Sequence, residues 1–390
     1  MTRPIVLVEF SPSGGLFQFA VQLGEALARR GERVILLTGP RPEFTSNQPG
    51  FTIQSSLPTW HPADTEVLSK PLRVARRALR AGQLMVAWIV LAAVLIRIRP
   101  RAVLWSHWRF TFEPMFVVLI THLVRKSTFG IVAHEPLPRS DARDTSTPKS
   151  GRLVDAAFAA AWRRMDVAFV LGPRTRDVVL EHFEPGGEVV VIPHGDEGLL
   201  VTGDETVAVS DTGPVALFFG TWTTYKGIDV LLDAFALVRT QLPTAELVLA
   251  GAVGADIDHA SLLRRAAEIG NVDARAGYVA QADVAGIVHS ARVVVTPYIR
   301  ASQSGVAHLA FTFGRPVIAS AVGDLPEVVR DGETGLLVPA GDAAALAAAM
   351  VALLTDPDLA ERLGCTGRSF LTESWSLAAD RIVLSLEGVS

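Results

Sequence analysis

The sequence predicts an α/β protein built from two domains, each a parallel sheet with helices on both faces. Three observations support this prediction. The chain has 390 residues, more than one hydrophobic core usually serves. Buried-strand patterns alternate with helical segments in both halves of the chain. The segment from Leu200 to Pro214 is polar and rich in Thr, Gly and Asp, so it is interpreted as the linker between the domains.

The first half opens with a strand predicted from Ile5 to Phe10, followed by the turn Ser11 to Gly15 and a helix from about Leu16 to Arg29. Gly31 ends that helix, and the next strand is predicted from Val34 to Leu37. A strand, a helix and a strand joined by short connections indicate a right-handed parallel unit. Further strands are predicted over Ala102 to Trp105, Gly130 to His134, Val167 to Leu171 and Val189 to Pro193.

The second half repeats this alternation. Strands are predicted over Val215 to Phe219, Glu246 to Ala250 and Val293 to Thr296, and helices over Val230 to Thr240 and Ala343 to Leu354. Ligands of open α/β sheets bind outside the carboxyl ends of the strands. We therefore expect two Rossmann-like domains that face each other across a cleft, with the ligand held between their strand ends.

Composition narrows the class of protein. Apolar residues make up 49% of the chain and charged residues 19%, which is typical of a folded protein with a large buried core. The formal net charge of −4 predicts no general attraction to nucleic acid. Cys365 is the single cysteine, so no disulfide forms within the chain. The first strand begins almost at the start and leaves no room for a signal peptide, so a cytoplasmic location is expected.

Residues 70 to 112 contain nine Lys and Arg residues and no Asp or Glu. Within this segment, Leu84 to Ile96 is a run of thirteen apolar residues, shorter than the about 20 that span a bilayer. Two interpretations are open. The segment is a helix packed on the sheet, or it makes peripheral contact with an anionic membrane through residues 70–101. Burial in protein is the simpler interpretation, because an unbroken apolar run makes a helix hydrophobic all round.

The stretch from Pro297 to Ser320 is the most informative part of the sequence. It predicts a strand that ends at Pro297, a polar turn, a short helix, Gly314 and a second strand. The turn residues at the start of the helix are Ser302, Gln303, Ser304 and Gly305. The first N–H groups of a helix lack internal partners, and small residues let an anion approach them. Gly314 stops the helix and Arg315-Pro316 prevents its continuation, so the pattern predicts a phosphate site on a strand, turn and helix.

Several motifs together resemble glycosyltransferase family 4, whose members have the GT-B fold. The second half carries FFGTWTTYKG followed by LLDAF, then Gly277-Tyr278-Val279, and then GRPVIAS followed by GETGLLV. In the first half, Gly14-Gly15, His107, His134 and IPHG also fit the family. The resemblance implies a metal-independent, retaining glycosyltransferase that uses a nucleotide-diphosphate sugar and no cofactor. The linker divides the chain into a domain at 1–199 and a nucleotide-sugar domain at 200–371, and the resemblance implies that a final helix at about 372–390 crosses back onto the first.

The sequence departs from the family at two places. Members often carry two glutamates eight positions apart around the phosphate-binding helix, and here those positions fall on Ala301 and Leu309, or on Ser302 and Ala310. A basic residue that usually follows Gly220 is replaced by Thr221. The Gln-Ser-Gly in this turn resembles that of one branch of the family, so the change indicates a variant site.

The donor site can be assigned residue by residue. A leaving diphosphate gathers negative charge, and Lys226, between a strand end and a helix, is our first candidate for the stabilising cation. Its alternative role is that of a solvated surface lysine. The turn would offer N–H groups from Ser304 and Gly305 and side-chain hydrogen bonds from Gln303 and Ser302, although the serines could simply cap the helix. The resemblance adds further donor contacts at Gly220, Thr221, Tyr278 and Val279.

In the first half, Gly14 and Gly15 would let the loop approach the donor or acceptor, or would simply form a tight turn. The resemblance places His134 near the transferred sugar, and a histidine at a strand end can equally be structural. His107 and Glu135 are weaker candidates on the acceptor side, and His194 is expected to fix the turn that enters the linker. The histidines lack metal-ligand spacing, so no metal site is predicted. A GT-B protein that binds a nucleotide or a partner without turnover is the alternative function.

Overall fold

The computed structural model describes residues 3–61, 70–106, 108, 112–134, 136, 152–201, 207–301 and 303–389. Three predicted site residues, His107, Glu135 and Ser302, lie outside this part of the chain. The chain divides into two compact units. The first comprises the described residues within Met1–Pro138, Pro148–Pro193 and Trp375–Ser390, and the second comprises those within His194–Ser374.

The first unit contains a sheet of seven parallel strands in the order β3-β2-β1-β4-β5-β6-β7. The strands are β1 (Ile5–Val8), β2 (Val34–Thr38), β3 (Phe51–Ser55), β4 (Ala102–Trp105), β5 (Thr128–Ala133), β6 (Val167–Val170) and β7 (Glu188–Val191). The central strands are continuous apolar runs, because helices cover both faces of a parallel sheet. The strand order reverses between β1 and β4, which is the pattern predicted for a doubly wound sheet.

Five helices of this unit follow the strands. They are α1 (Gly15–Arg29), α2 (Lys70–Ile98), α3 (Glu113–Leu123), α4 (Arg152–Trp162) and α5 (Pro173–His182). Helix α1 packs through an apolar stripe that includes Phe17, Leu23 and Leu27, all at most 1% exposed. Helices α2 and α3 contact each other, and the rings of Trp88 and Phe116 stack between them at 5.4 Å.

The second unit contains a sheet of six parallel strands in the order β10-β9-β8-β11-β12-β13. The strands are β8 (Val215–Phe219), β9 (Glu246–Gly251), β10 (Val272–Ala276), β11 (Val293–Thr296), β12 (Val317–Ser320) and β13 (Gly335–Val338). The helices are α6 (Ile228–Gln241), α7 (His259–Ile269), α8 (Gln281–Ser290), α9 (Gly305–Thr312), α10 (Leu325–Val328), α11 (Ala343–Thr355) and α12 (Pro357–Leu371).

The last helix, α13 (Ser374–Gly388), belongs to the first unit from Trp375 onward. There the Trp375 ring meets that of Phe19 with their centroids 5.1 Å apart. Arg30 forms an ion pair with Asp380. The two units divide after Pro193, earlier than the predicted boundary at residue 199, because the residues from His194 onward pack against α9.

The predicted parallel sheets are confirmed in both units. The sequence analysis missed three strands, β3, β10 and β13, which lie at the edges of their sheets. The sequences of β3 and β10, FTIQS and VDARA, lack the continuous apolar pattern because edge strands are only partly buried. The sequence of β13, GLLV, is a short apolar run that the sequence analysis treated only as part of a family motif. Central strands such as β4, β8 and β11 lie within the predicted bounds.

Helix α2 differs from its predicted environment. The thirteen-residue run is part of a longer apolar segment, Ala78–Ile98, which by length and composition could cross a membrane. The expectation that this helix is buried all round is wrong for one face. Leu84 and Leu91 are buried, whereas Val86 and Ile89 are 50% and 64% exposed, because the sheet covers only one side of the helix.

Candidate functional site

In the second unit, the strand order reverses between β8 and β11, which lie side by side. Loops that leave neighbouring parallel strands at such a reversal diverge and leave a crevice at the carboxyl edge of the sheet. The loop after β8 runs from Gly220 to Gly227, and the turn after β11 runs from Pro297 to Gly305. The topology therefore brings together the two segments in which the sequence analysis placed most of the donor-binding residues.

The two loops are fastened directly to each other. Gly227 starts α6 with a φ of 69°, and a side chain there would place its Cβ 2.0 Å from the carbonyl oxygen of Pro297. Only glycine fits so close an approach in this left-handed conformation. The N–H of Ile299 donates a hydrogen bond of 2.8 Å to the carbonyl of Tyr225. Lys226 thus lies on a short loop whose position is fixed by the turn after β11.

The ammonium group of Lys226 lies close to the start of α9. Its Nζ is 5.6 Å from the centre of the Tyr298 ring. It is 2.9 Å from the place where a Cβ on Gly220 would be, and that place is 3.8 Å from Cγ2 of Val306. Gly220, with a φ of 107°, therefore leaves the space that the ammonium group occupies. These distances put a positive charge beside the first turn of α9.

The start of α9 presents unused hydrogen-bond donors. Ser304 is the N-cap residue, but its hydroxyl donates to the Tyr298 hydroxyl at 3.3 Å rather than capping the helix. The N–H groups of Gly305 and Val306 have no acceptor among the described residues. In the same part of the chain, Nε2 of Gln303 is buried and makes no hydrogen bond. The helix start thus offers three donors, next to a cation, that an anionic ligand could use.

Burial also sets the state of Tyr298. It raises the pKa of the Tyr298 phenol well above its usual range, and the hydrogen bond from Ser304 only partly opposes this effect. The phenol therefore stays protonated and neutral at neutral pH. Lys226 then faces a neutral aromatic ring, and its positive charge is not cancelled by a phenolate.

A buried polar cluster lies behind the turn. The rings of His194 and His308 are 4.2 Å apart, and Nε2 of His194 is 3.7 Å from Oε1 of Glu197. The N–H of Glu197 donates to Oγ1 of Thr312 at 2.8 Å. The same Oε1 is 3.8 Å from where a Cβ on Gly305 would be, so the segment after β7 brings a carboxylate to the turn. The sequence analysis missed Glu197, His308 and Tyr298, since none belongs to a motif that signals this proximity.

Both histidines of this cluster are neutral. Burial lowers the pKa of His194 to about 4, although its hydrogen bond with the Gly195 carbonyl opposes the shift. Burial and the neighbouring His194 lower the pKa of His308 as well. At neutral pH the contact between His194 and Glu197 is therefore not an ion pair, and the cluster supports α9 by packing and hydrogen bonds.

The depressed pKa of His194 predicts a loss of stability in acid. His194 has a pKa of 6.5 in the unfolded chain, so the unfolded chain takes up the proton more readily than the folded protein. The folded state therefore has its full stability above pH 6.5 and loses stability as the pH falls toward 4. The loss amounts to at most about 3 kcal/mol. We expect His194→Gln to reduce the slope of the unfolding free energy against pH in this interval, measured by urea denaturation. An unchanged slope would show that another group titrates.

The positions of the missing family glutamates are mostly interior. Leu309 and Ala310 are at most 4% exposed, so in either alignment the second glutamate position faces the core of this unit. Thr221 is exposed and follows Gly220. Tyr278 is 62% exposed on the turn after β10, and β9 separates that strand from β8. Tyr278 and Val279 therefore follow a strand that does not neighbour β8, whereas the turn at Gly305 follows one that does.

The predicted residues of the first unit lie at the ends of β1 and β5. Gly14 precedes α1 with a φ of 86°, and its N–H donates to Oε2 of Glu43 at 3.1 Å. A carboxylate therefore already occupies part of this helix start, which works against a phosphate at Gly14. Gly15 is exposed, with open space around its Cα. His134 follows β5, and the edge of its ring meets the Phe19 ring at 4.5 Å. Within the described ranges, no three His, Cys, Asp or Glu residues cluster as metal ligands.

Comparisons with known sequences agree with this arrangement. The family model described as "Glycosyl transferases group 1" matches residues 213–356. A phosphatidyl-myo-inositol mannosyltransferase from Mycobacterium leprae is 26% identical over 98% of this chain and 95% of its own length. A D-inositol 3-phosphate glycosyltransferase from Segniliparus rotundus is 31% identical over 51% of this chain and 46% of its own length. The second match therefore spans about half of each protein.

Solved structures show the same fold. Sucrose-phosphate synthase from Thermosynechococcus elongatus superposes with a TM-score of 0.71 at 23% identity, over the full length of both chains. HepE from Anabaena, solved with UDP and glucose, gives a TM-score of 0.71 at 14% identity, over 99% of this chain and all of the other. The predicted GT-B fold is thereby confirmed.

Proposed function

We propose that this chain, a glycosyltransferase of the GT-B fold, moves a sugar from a nucleotide-diphosphate donor to a hydroxyl acceptor with retention of configuration. The observation that carries the proposal is the convergence of the Lys226 ammonium group with N–H groups at the start of α9 that have no acceptor among the described residues. The diphosphate of the donor would lie against this helix start. A cation and unpaired N–H donors on one anion are the electrostatic arrangement that a diphosphate leaving group requires.

The chemistry follows from where charge develops. As the bond between the anomeric carbon and the phosphate oxygen breaks, negative charge grows on the diphosphate and positive charge grows on the sugar ring. Lys226 and the amides of Gly305 and Val306 would stabilise the diphosphate more in the transition state than in the bound donor. Gln303 would add a neutral hydrogen bond, since its buried Nε2 has no partner in the described chain.

Glu197 is proposed to act beside the same turn. A carboxylate near Gly305 would repel a phosphate, but it accepts hydrogen bonds from hydroxyl groups well. The family's second glutamate position is buried in this chain, so a carboxylate from a different segment would take over the binding of sugar or ribose hydroxyls. This assignment explains how a site without the usual pair of glutamates could still recognise a sugar nucleotide.

The first unit would supply the remaining contacts. On the family resemblance, His134 is proposed to form a hydrogen bond with a hydroxyl of the transferred sugar. On the same basis, Gly15 is proposed to lie close to the donor or the acceptor. Two relatives are named for inositol-containing acceptors, which supports a hydroxyl on a small polar molecule or on a lipid as the acceptor. We also propose that the protein acts in the cytoplasm and without a bound metal. Residues 70–101 would contact a membrane.

Donor binding can be screened by thermal shift with UDP-, GDP-, ADP- and dTDP-sugars. A ligand raises the melting temperature only when it binds the folded state preferentially. The donor that stabilises the protein is then tested for transfer to inositol-containing acceptors and for slow hydrolysis. Stabilisation without transfer or hydrolysis would favour the alternative, a GT-B protein that binds nucleotides without turnover. That alternative is supported by the burial of Leu309 and Ala310, the two positions at which the family's second glutamate could fall.

A valine at position 305 tests where the diphosphate binds. A Cβ on Gly305 would be no closer than 3.8 Å to Glu197, so the fold accommodates a side chain there. Its methyl groups would fill the space in front of the N–H groups that the proposal assigns to the diphosphate. We expect Gly305→Val to weaken donor binding by at least about tenfold, roughly 1.4 kcal/mol, in calorimetric titrations.

A matched control keeps the Gly305 result interpretable. Gly286 lies exposed within α8, and a Cβ there meets no atom within 4 Å. Gly286→Val therefore makes the same chemical change in a helix of the same unit, away from the turn, and should leave donor affinity unchanged. If Gly305→Val binds donor as tightly as this control, the diphosphate does not lie at the start of α9.

A further inference from the structure

Helix α2 has a second apolar face that the first unit does not cover. Its inner face packs on the core through Leu84, Trp88, Leu91 and Leu95, each at most 3% exposed. The outer face consists of exposed positions spaced alternately by three and four residues. These positions are Leu79, Gly82, Val86, Ile89, Ala93 and Ile96. None of them is polar, although the solvent face of a helix in a soluble protein normally is.

The exposed strip is long and continuous. From Leu79 to Ile96 it covers about 26 Å along the helix, at 1.5 Å per residue. Leu79 and Ile89 are each 64% exposed, and just 28% of the most apolar part of the helix is buried. Single exposed apolar side chains are common on proteins, but an uninterrupted line of them marks a surface that contacts something apolar.

The neighbouring helix α3 extends the apolar surface. It contacts α2, and the stacked rings of Trp88 and Phe116 join the two helices. Met115, Leu119 and Leu123 follow one another at intervals of four residues along α3, and each is more than half exposed. Residues at this spacing lie on one face of a helix. Two adjoining helices of the first unit thus each expose an apolar line.

The charges around α2 identify the occupant. Three arginines precede the strip on the same helix, namely Arg73, Arg76 and Arg77, and Arg97 and Arg99 follow it. Arg80 lies beside the first residue of the strip, with its guanidinium group 5.1 Å from the centre of the Trp60 ring. No acidic residue occurs from 70 to 112. A partner protein would normally be matched by charges of both signs, whereas an apolar strip with basic groups at both ends matches acyl chains and anionic headgroups.

We propose that the exposed faces of α2 and α3 form a surface that docks the protein on an anionic lipid bilayer. The helix lies in the plane of the interface and does not span the membrane. Its inner face holds Trp88 and Leu91 in the core of the first unit, and a spanning helix would have to leave that core. The outer side chains enter the headgroup and acyl boundary, and the positive charge at both ends of the strip attracts the lipid phosphates. The inference deepens the membrane contact included in the proposed function, and it holds whatever reaction the second unit catalyses.

Vesicle flotation tests the proposal. The full-length protein is mixed with vesicles of phosphatidylcholine that contain phosphatidylglycerol, and with vesicles of phosphatidylcholine alone. We expect flotation with the anionic vesicles, and a decrease with added salt because surface charge attraction is screened. The proposal would be overturned if the protein floats with neither kind of vesicle.

Two pairs of variants separate the apolar from the electrostatic contribution. Val86→Glu with Ile89→Glu should lower the partition coefficient by about 100-fold, because two apolar side chains are lost from the acyl region. Leu384→Glu is its control, on an exposed apolar side chain of α13 in the same unit. Arg76→Glu with Arg77→Glu, before the strip, should weaken the preference for anionic vesicles. Arg362→Glu with Arg368→Glu, on exposed positions of α12, is the charge-matched control.

Competing occupants give distinct results. If the strip joins two copies of this chain, sedimentation will show a dimer that the Val86 and Ile89 substitutions dissociate, without vesicle binding, and the proposal is wrong. If these substitutions leave flotation unchanged in a variant that melts like the wild type, the proposal is also wrong. Transfer to a soluble acceptor should be unaffected by all of these variants, so failure of the docking proposal and failure of the proposed reaction can be told apart.

Discussion

Lys226→Ala is expected to lower kcat by about 100- to 1,000-fold, the usual effect of removing one group that stabilises developing charge in an active site. The ammonium group lies above Gly220 and near the first turn of α9, which the proposal assigns to the diphosphate. Because the charge on the diphosphate grows in the transition state, the loss should be larger in kcat than in donor affinity. Initial-rate kinetics with the donor identified by thermal shift give both quantities.

Two further lysine variants, one as a control and one that keeps the charge, test the role of Lys226. Lys126 is exposed in the first unit and its side chain has no described contact, so Lys126→Ala should keep full activity. Lys226→Arg keeps the charge, but the larger planar group must fit beside Tyr298, so partial activity is expected. A Lys226→Ala protein that binds donor normally and transfers sugar at the wild-type rate would remove Lys226 from the mechanism.

Arg315→Met should lower the free energy of unfolding by roughly 3 kcal/mol or more, because each buried acceptor that loses its donor costs about 1 to 3 kcal/mol. Arg315 is 1% exposed. Its guanidinium group donates to the carbonyl oxygens of Val207, Val288, His289 and Phe313. Methionine fills a similar volume but leaves these acceptors without a donor in the protein interior. Urea denaturation of the wild type and the variant measures the difference.

The cause of this large effect is the position of Arg315 between helix ends. Its carbonyl partners belong to the end of α8, to the residue after α9 and to Val207, which lies outside the helices and strands. The C-terminal carbonyls of a helix carry partial negative charge, which a guanidinium group complements. Burial lowers the pKa of Arg315 to about 10, with the carboxylate of Glu361 opposing the shift, so the side chain remains charged at neutral pH.

A surface arginine provides the comparison for Arg315. Arg362 is exposed on α12 and no contact of its side chain is described, so Arg362→Met should change stability by less than about 0.5 kcal/mol. Because α9 carries the phosphate turn at its other end, Arg315→Met should also weaken donor binding when the protein is still folded. A loss of stability below about 1 kcal/mol would show that water or a rearranged neighbour satisfies the carbonyls.

The order of strands and helices could be predicted well from the sequence. Buried strands such as β4, β8 and β11 are short apolar runs bounded by turn residues, and their pattern depends only on local composition. The start of α9 was also predictable, since small residues precede an apolar helix there. The edge strands β3 and β10 were not, because a half-exposed strand carries a mixed sequence that resembles a loop.

The candidate site was predictable only in part. Lys226 and the turn residues follow strand ends, and the doubly wound pattern places strand ends at one edge of the sheet. The proximity of Glu197 to Gly305 was not predictable, because these residues are far apart in the sequence and no motif links them. The sequence analysis also took Arg315 as a residue that merely stops a helix, whereas it binds four backbone carbonyls.

The sequence by itself determined the alternation of strands and helices, the glycine positions of the loops and the basic, apolar character of residues 70–112. These properties depend on neighbours in the chain and on the fixed periods of helix and strand. Tertiary structure alone decided that Lys226 lies beside α9, that Arg315 is buried and that one face of α2 remains exposed. The reason is physical: burial, desolvation and proximity depend on which distant segments pack against a residue, and local sequence does not specify them.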